Sequence, residues 1–198
     1  MQNNNASRSG VPNATVTPNL RLAGLLSIAN GILTIPLFAM SVFLVSQPDS
    51  GGKLLAMVLA GVSFILFVFI FLSLKGLLNT RFGFHDTDGL INMLIWVNAV
   101  SLAVPFLEFL PVSEELATGA PVVLIAIVGI VSIVFAIRLL KLPDTPHSLL
   151  KPFAYTTLAT GVCFATIVLI PVGLLAGIIA DIILGVIFLR AAEVGKQE

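Results

Sequence analysis

The sequence predicts an all-α fold, an integral membrane bundle of six transmembrane helices, and three observations carry that prediction. Of 198 residues, 58% are hydrophobic and only 10% are charged, against about 25% charged in ordinary soluble domains. That is too few charges for the polar shell of a water-soluble fold this size. The apolar residues also gather into runs of bilayer length, and the basic residues collect at alternate ends of those runs.

The stretch MQNNNASRSGVPNATVTPN is polar, contains Pro and Gly and has no periodicity, so residues 1–20 read as a disordered tail. A signal peptide is not expected, because the apolar run that follows exceeds an h-region of roughly 7–15 residues. The sequons at Asn5 and Asn13 matter only if this tail faces a glycosylating lumen.

Four runs, 22–45, 54–78, 90–110 and 120–140, each supply the roughly 20 apolar residues that a spanning helix needs. The last apolar stretch, 153–189, would reach about 55 Å as one helix, nearly twice a hydrocarbon core of about 30 Å. IPVG at 170–173 offers a break: Pro171 suits the first turn of a new helix, and Gly173 tolerates a tight bend. Splitting there gives spans 153–170 and 172–189, within a transmembrane domain over 21–192 and a short polar tail over 193–198.

Charge placement gives an independent reading, since Lys and Arg in short loops favour the cytoplasmic side. With six spans and the N-terminus inside, Arg8, Arg21, Lys75, Arg81, Arg138, Lys141, Lys151, Arg190 and Lys196 fall inside and only Lys53 falls outside. A five-span layout leaves the C-terminal basic residues unexplained. Both termini are therefore expected in the cytoplasm, and the compact all-membrane design suggests a bacterial inner (plasma) membrane.

The same layout reads as three helical hairpins. Each first helix pairs a polar or small residue with an outer proline: Asn30 with Pro36, Asn98 with Pro105, Gly161 with Pro171. Each returning helix ends on a base: FLSLK at 71–75, FAIR at 135–138, IFLR at 187–190.

Asp181 lies midway along the sixth span, where an aspartate opposes insertion by roughly 2.5–3.5 kcal/mol and each surrounding Val, Leu, Ile or Phe offsets about 0.3–0.6. A carboxyl held at that depth usually faces protein or water rather than lipid. Gly173, Gly177, Asp181 and Gly185 recur every four residues and so read as one helix face suited to close packing. The expected partners are Asn30 with Thr34, or Asn98 with Ser101. The facing helix is expected to be the fifth, with Thr157, Gly161 and Ala165, or the first, with Ala23, Ser27 and Gly31.

Two readings follow for Asp181, Asn30 and Asn98. In one they are interhelical hydrogen-bond glue, at about 0.6 kcal/mol each. In the other they form a protonatable intramembrane site for proton or cation movement, although no base lies at matching depth to make an ion pair.

The remaining polar features read as structural. Asp86, Thr87 and Asp88 of HDTD precede the third span and suit helix capping better than metal binding. His147 reads as a solvated histidine, Glu108, Glu114 and Glu115 as an acidic loop, and Cys163 as a small buried hydrophobe. No HExxH, GxSxG, Walker or CxxC motif is present. No enzyme activity, metal or cofactor is expected, and a formal net charge of zero gives nucleic acid no electrostatic attraction.

The first functional expectation is thus a non-enzymatic packing, assembly or accessory subunit. Its Phe-rich faces, at Phe64, Phe67, Phe69 and Phe71, would meet the lipid bilayer, other membrane subunits or a second copy of the chain. The alternative is a small transporter or channel that uses Asp181 with Asn30 and Asn98.

Overall fold

The computed structural model describes residues 19–45, 50–104, 114–142 and 149–194. Their regular structure is helical throughout: α1 (Leu20–Val45), α2 (Ser50–Phe82), α3 (Asp88–Ala103), α4 (Glu114–Leu139), α5 (Leu150–Ala165) and α6 (Ile170–Val194). Expectations placed on Asn5, Arg8, Asn13, Pro105, Glu108, His147 and Lys196, and on residues 105–110 of the third run, lie outside the described residues.

Four of the helices contain segments long and apolar enough to cross a membrane: Leu20–Met40, Leu54–Phe82, Gly119–Leu139 and Ile170–Val194. Large apolar side chains face outward, with Ile65 67%, Trp96 72% and Val168 85% exposed, as suits a lipid surrounding rather than water. α2 runs on past Lys75 because Leu74, Leu77 and Leu78 continue its buried face at helical spacing.

The break between α5 and α6 falls four residues before the expected one. The chain reverses over Thr166–Leu169, where Ile167 takes a left-handed φ of 61° that a β-branched residue rarely adopts. The Ile170 amide then donates to the Ile167 carbonyl at 3.2 Å. Pro171 does sit in the first turn of α6. Gly173 does not bend: it lies inside the helix, and a methyl group there would meet the Phe164 ring at 2.7 Å, so close packing rather than turn geometry explains it.

Neighbouring helices run antiparallel and pack in chain order, and α6 returns to pack on α1, closing a ring. Six cylinders about 10 Å wide in a ring leave room at the centre for one more helix. At one end large side chains fill it: Ile70, Leu74, Leu78, Ile91, Phe135, Leu184 and Phe188 are all buried. The Phe71, Phe135 and Phe153 rings touch across this plug, with centroids 6.2 and 6.5 Å apart. Arg21, Lys75, Arg81, Arg138, Lys141, Lys151 and Arg190 gather at the same end, while Lys53 is at the other. There Arg81 donates to the Ala191 carbonyl of α6, and Arg138 donates to the Asp86 carbonyl at 2.7 Å. Such bonds occupy backbone acceptors that helix ends and loops leave open.

Glycines set how closely the helices approach. A methyl group on Gly129 of α4 would stand 2.5 Å from the Ala165 amide nitrogen and 2.7 Å from the Gly161 carbonyl of α5. On Gly24 of α1 it would stand 2.9 Å from the Gly185 carbonyl of α6. Gly177 differs, since its nearest neighbour would be Thr160 at 3.8 Å, an ordinary contact. Overpacking against backbone costs about 1–3 kcal/mol, whereas Ala in place of Gly favours a helix by about 1 kcal/mol. Gly129→Ala should therefore lower the melting temperature in detergent by several degrees, and Gly177→Ala should leave it unchanged or raise it.

Candidate functional site

Asp181 enters the structure through the seam between α1 and α6. Gly24 and Gly185 bring the two backbones together. One helical turn on, the buried Ser27 hydroxyl donates to the Asp181 carbonyl at 2.7 Å. Asn30 Nδ2 then donates to Asp181 Oδ2 at 2.7 Å, and a methyl group on Gly31 would lie 3.2 Å from Asp181 Cβ. Positions 24, 27 and 31 share one face of α1 because their spacing follows the helical repeat. The other carboxyl oxygen, Oδ1, has no hydrogen-bond partner among the described residues.

That carboxyl stands on the wall of a cavity of about 220 Å³ at the ring centre. All six helices line it: Asn30 and Thr34 from α1, Phe67 and Phe71 from α2, Leu94 and Asn98 from α3, Val128 and Ser132 from α4. Phe153, Thr157, Thr160 and Phe164 come from α5, and Leu174, Gly177 and Asp181 from α6. Next to it, a wider cleft of about 520 Å³ shares the linings Asn30, Thr34, Phe67, Asn98 and Leu174. It extends along Phe38, Leu59, Ser63, Phe64 and Leu102, away from the phenylalanine plug.

Of the two expected amide partners, Asn30 bonds the carboxyl. Asn98 lines the same cavity but donates to the Leu94 carbonyl of its own helix at 2.8 Å. Ser101 likewise donates to Val97 at 2.9 Å and borders only the outer cleft. The glycine strip of α6 is not a single face. Four residues advance a helix by about 400°, so positions four apart drift by about 40° each time. Gly173 accordingly meets Phe164 and Cys163 of α5, Gly177 borders the cavity, and Asp181 and Gly185 meet α1. Gly161 faces α4 through Gly129, not α6.

Phe67 and Phe71 depart from the outward role expected of them. Their rings lie tilted against each other with centroids 4.3 Å apart and line the cavity, and Phe64 lines the cleft. Gly24, Gly129, Ser132 and Thr160 were not anticipated. Ser132 carried a signal, as a polar residue deep within an apolar run.

The HDTD segment makes a separate polar cluster at the plugged end. Thr87 is the N-cap of α3, yet its side chain makes no capping hydrogen bond. Asp88 instead turns toward α2: its Oδ2 accepts from Asn79 Nδ2 at 3.1 Å, with Lys75 Nζ at 3.9 Å and His85 Nδ1 at 3.5 Å. No group of three or more His, Cys, Asp or Glu side chains converges among the described residues.

A hydrogen bond between buried membrane-depth groups contributes about 0.6–1.7 kcal/mol. A double-mutant cycle of Asn30→Ala and Asp181→Ala, read by unfolding in detergent, should give a coupling of about 1 kcal/mol. Strict additivity would mean that the pair is not formed.

Comparison with protein-family models, with curated proteins and with solved structures finds no match to this chain.

Proposed function

We propose that the chain is a small, non-enzymatic membrane transporter that crosses the bilayer six times and moves a proton or cation by way of Asp181. The observation that supports this over a packing subunit is the uncollapsed centre. A subunit that only packs gains nothing from leaving a carboxyl on the wall of a cavity that all six helices line, beside a cleft leading toward one end. Lipid on the outer face accounts for the exposed apolar side chains without a protein partner.

In this reading the plugged, basic end faces the cytoplasm with both termini, consistent with the positive-inside rule, and the cleft opens to the opposite side. A bacterial inner membrane is the setting in which that orientation is usual. The six helices form three antiparallel hairpins, α1 with α2, α3 with α4 and α5 with α6. α3 and α5, at 16 residues each, are about 24 Å long and cross where the neighbouring helices let the bilayer thin locally.

Among the described residues, Asp181 is the one titratable side chain on the cavity wall. The helices packed against its own contribute Asn30, Thr34, Thr157 and Thr160 there, while Arg21, Lys151 and Tyr155 of α1 and α5 lie toward the plugged end. Cys163 lies against Gly173 rather than on the cavity. A proton or cation bound at Asp181 thus meets no competing charge among the described residues, and Asn30 holds the carboxyl in place in either state. In proteoliposomes with an imposed pH gradient, the protein should accelerate proton or cation flux. Asp181→Asn should reduce that flux at least tenfold while the protein stays monodisperse, and Ile65→Ala on the outer face should not change it. Equal flux in Asp181→Asn and the native chain would rule the reading out.

A further inference from the structure

We infer that the central cavity binds a small organic cation, of the class of quaternary ammonium ions and protonated alkylamines, rather than a bare metal ion. This rests on the reading of Asp181 as a cation site and goes on to name what fills it. The first ground is the direction of the hydrogen bonds. Thr34 donates to Asn30 at 2.7 Å, Thr157 to Phe153 at 2.8 Å and Thr160 to Thr156 at 2.9 Å, all backbone carbonyls of their own helices. A hydroxyl whose proton is so used turns acceptor lone pairs outward. These three hydroxyls and the unpartnered Asp181 Oδ1 offer oxygens to a guest that brings positive charge or donors.

The second ground is the apolar part of the wall. Phe67, Phe71, Phe153 and Phe164 line the same cavity as the carboxyl. Phenyl faces attract alkylammonium groups by the ring quadrupole and accept methyl groups as ordinary apolar contacts. A metal ion would instead need about six converging oxygens, and that phenyl-rich wall works against such a cage. The third ground is size: about 220 Å³ suits a guest of roughly ten heavy atoms.

Because one carboxyl serves both, a proton on Asp181 and an organic cation beside it exclude each other. Binding therefore weakens as pH falls, and a cation that enters the protonated site displaces its proton. That exchange needs no co-reactant.

Choline and its neutral isostere 3,3-dimethylbutan-1-ol test the charge requirement at nearly constant shape. Titrated calorimetrically into the full chain in lipid nanodiscs, choline should bind at least tenfold more tightly than the isostere. Asp181→Asn should abolish that preference, and Phe67→Leu, which keeps an apolar side chain but removes the ring, should weaken choline about tenfold while the protein stays folded and monodisperse. Equal binding of choline and the isostere, equal binding to Asp181→Asn, or displacement of choline by sodium alone at equal concentration would overturn the inference. If Asp181-dependent proton flux persists while choline fails to bind, the transporter reading stands and the organic-cation inference fails. If both are absent, both fail.

Discussion

A ring of six helices has a middle, and what occupies it governs the rest of this structure. Equal cylinders in a closed ring leave a central space about one helix wide. The chain resolves that demand differently along its length. Toward the basic end, phenylalanine and leucine side chains from α2, α4, α5 and α6 meet and fill the centre. Halfway along, Asn, Ser, Thr and Gly enter among the Phe and Leu side chains, and the space stays open. Without a hydrophobic force between helices in lipid, close van der Waals packing is what holds such a ring.

That packing is uneven. The α1–α6 and α4–α5 seams bring backbones together at Gly24 with Gly185 and at Gly129 with Gly161, while a methyl group on Gly61 of α2 or Gly89 of α3 would meet no neighbouring element within 4 Å among the described residues. α2 and α3 are tied instead by side chains, Lys75, Asn79, Asp88 and Asn92, at the plugged end. The cleft borders these loosely held helices, along Leu59, Ser63, Asn98 and Leu102. Asp181 belongs to the tight side, fixed by Ser27, Asn30 and Gly31, so the carboxyl is anchored and the cleft beside it is bordered by the more weakly packed pair.

Hydropathy and length located the helices, because a bilayer-length apolar run has few other solutions. Pro171 marked the start of α6 for a sound reason, its missing N–H being one that a first turn does not use. The reversal itself was illegible, since it rests on Ile167 in a conformation that sequence rules assign to Gly or Asn. The pairing of Asp181 with Asn30 was among the alternatives that depth alone allowed, and depth could not choose between Asn30 and Asn98. Only the rotation of α1 and α3 about their axes decides that. The same rotation sends Phe67 and Phe71 inward, although in the sequence they merge with the outward apolar residues around them. Ser132 stands out in sequence only as a polar residue in an apolar run; which residues of six helices converge on one cavity, Thr160 among them, depends on packing that no local pattern encodes.

Sided accessibility measures the account most directly. In a Cys163→Ala background, single cysteines at Ser63, Asn98 and Leu74 can be exposed to a membrane-impermeant thiol reagent from each face of oriented vesicles. Ser63→Cys and Asn98→Cys should label from the face opposite the basic residues and Leu74→Cys from neither. Labelling of Asn98→Cys only from the basic face, or its complete protection alongside Ser63→Cys, would contradict a centre plugged at one end and open toward the other.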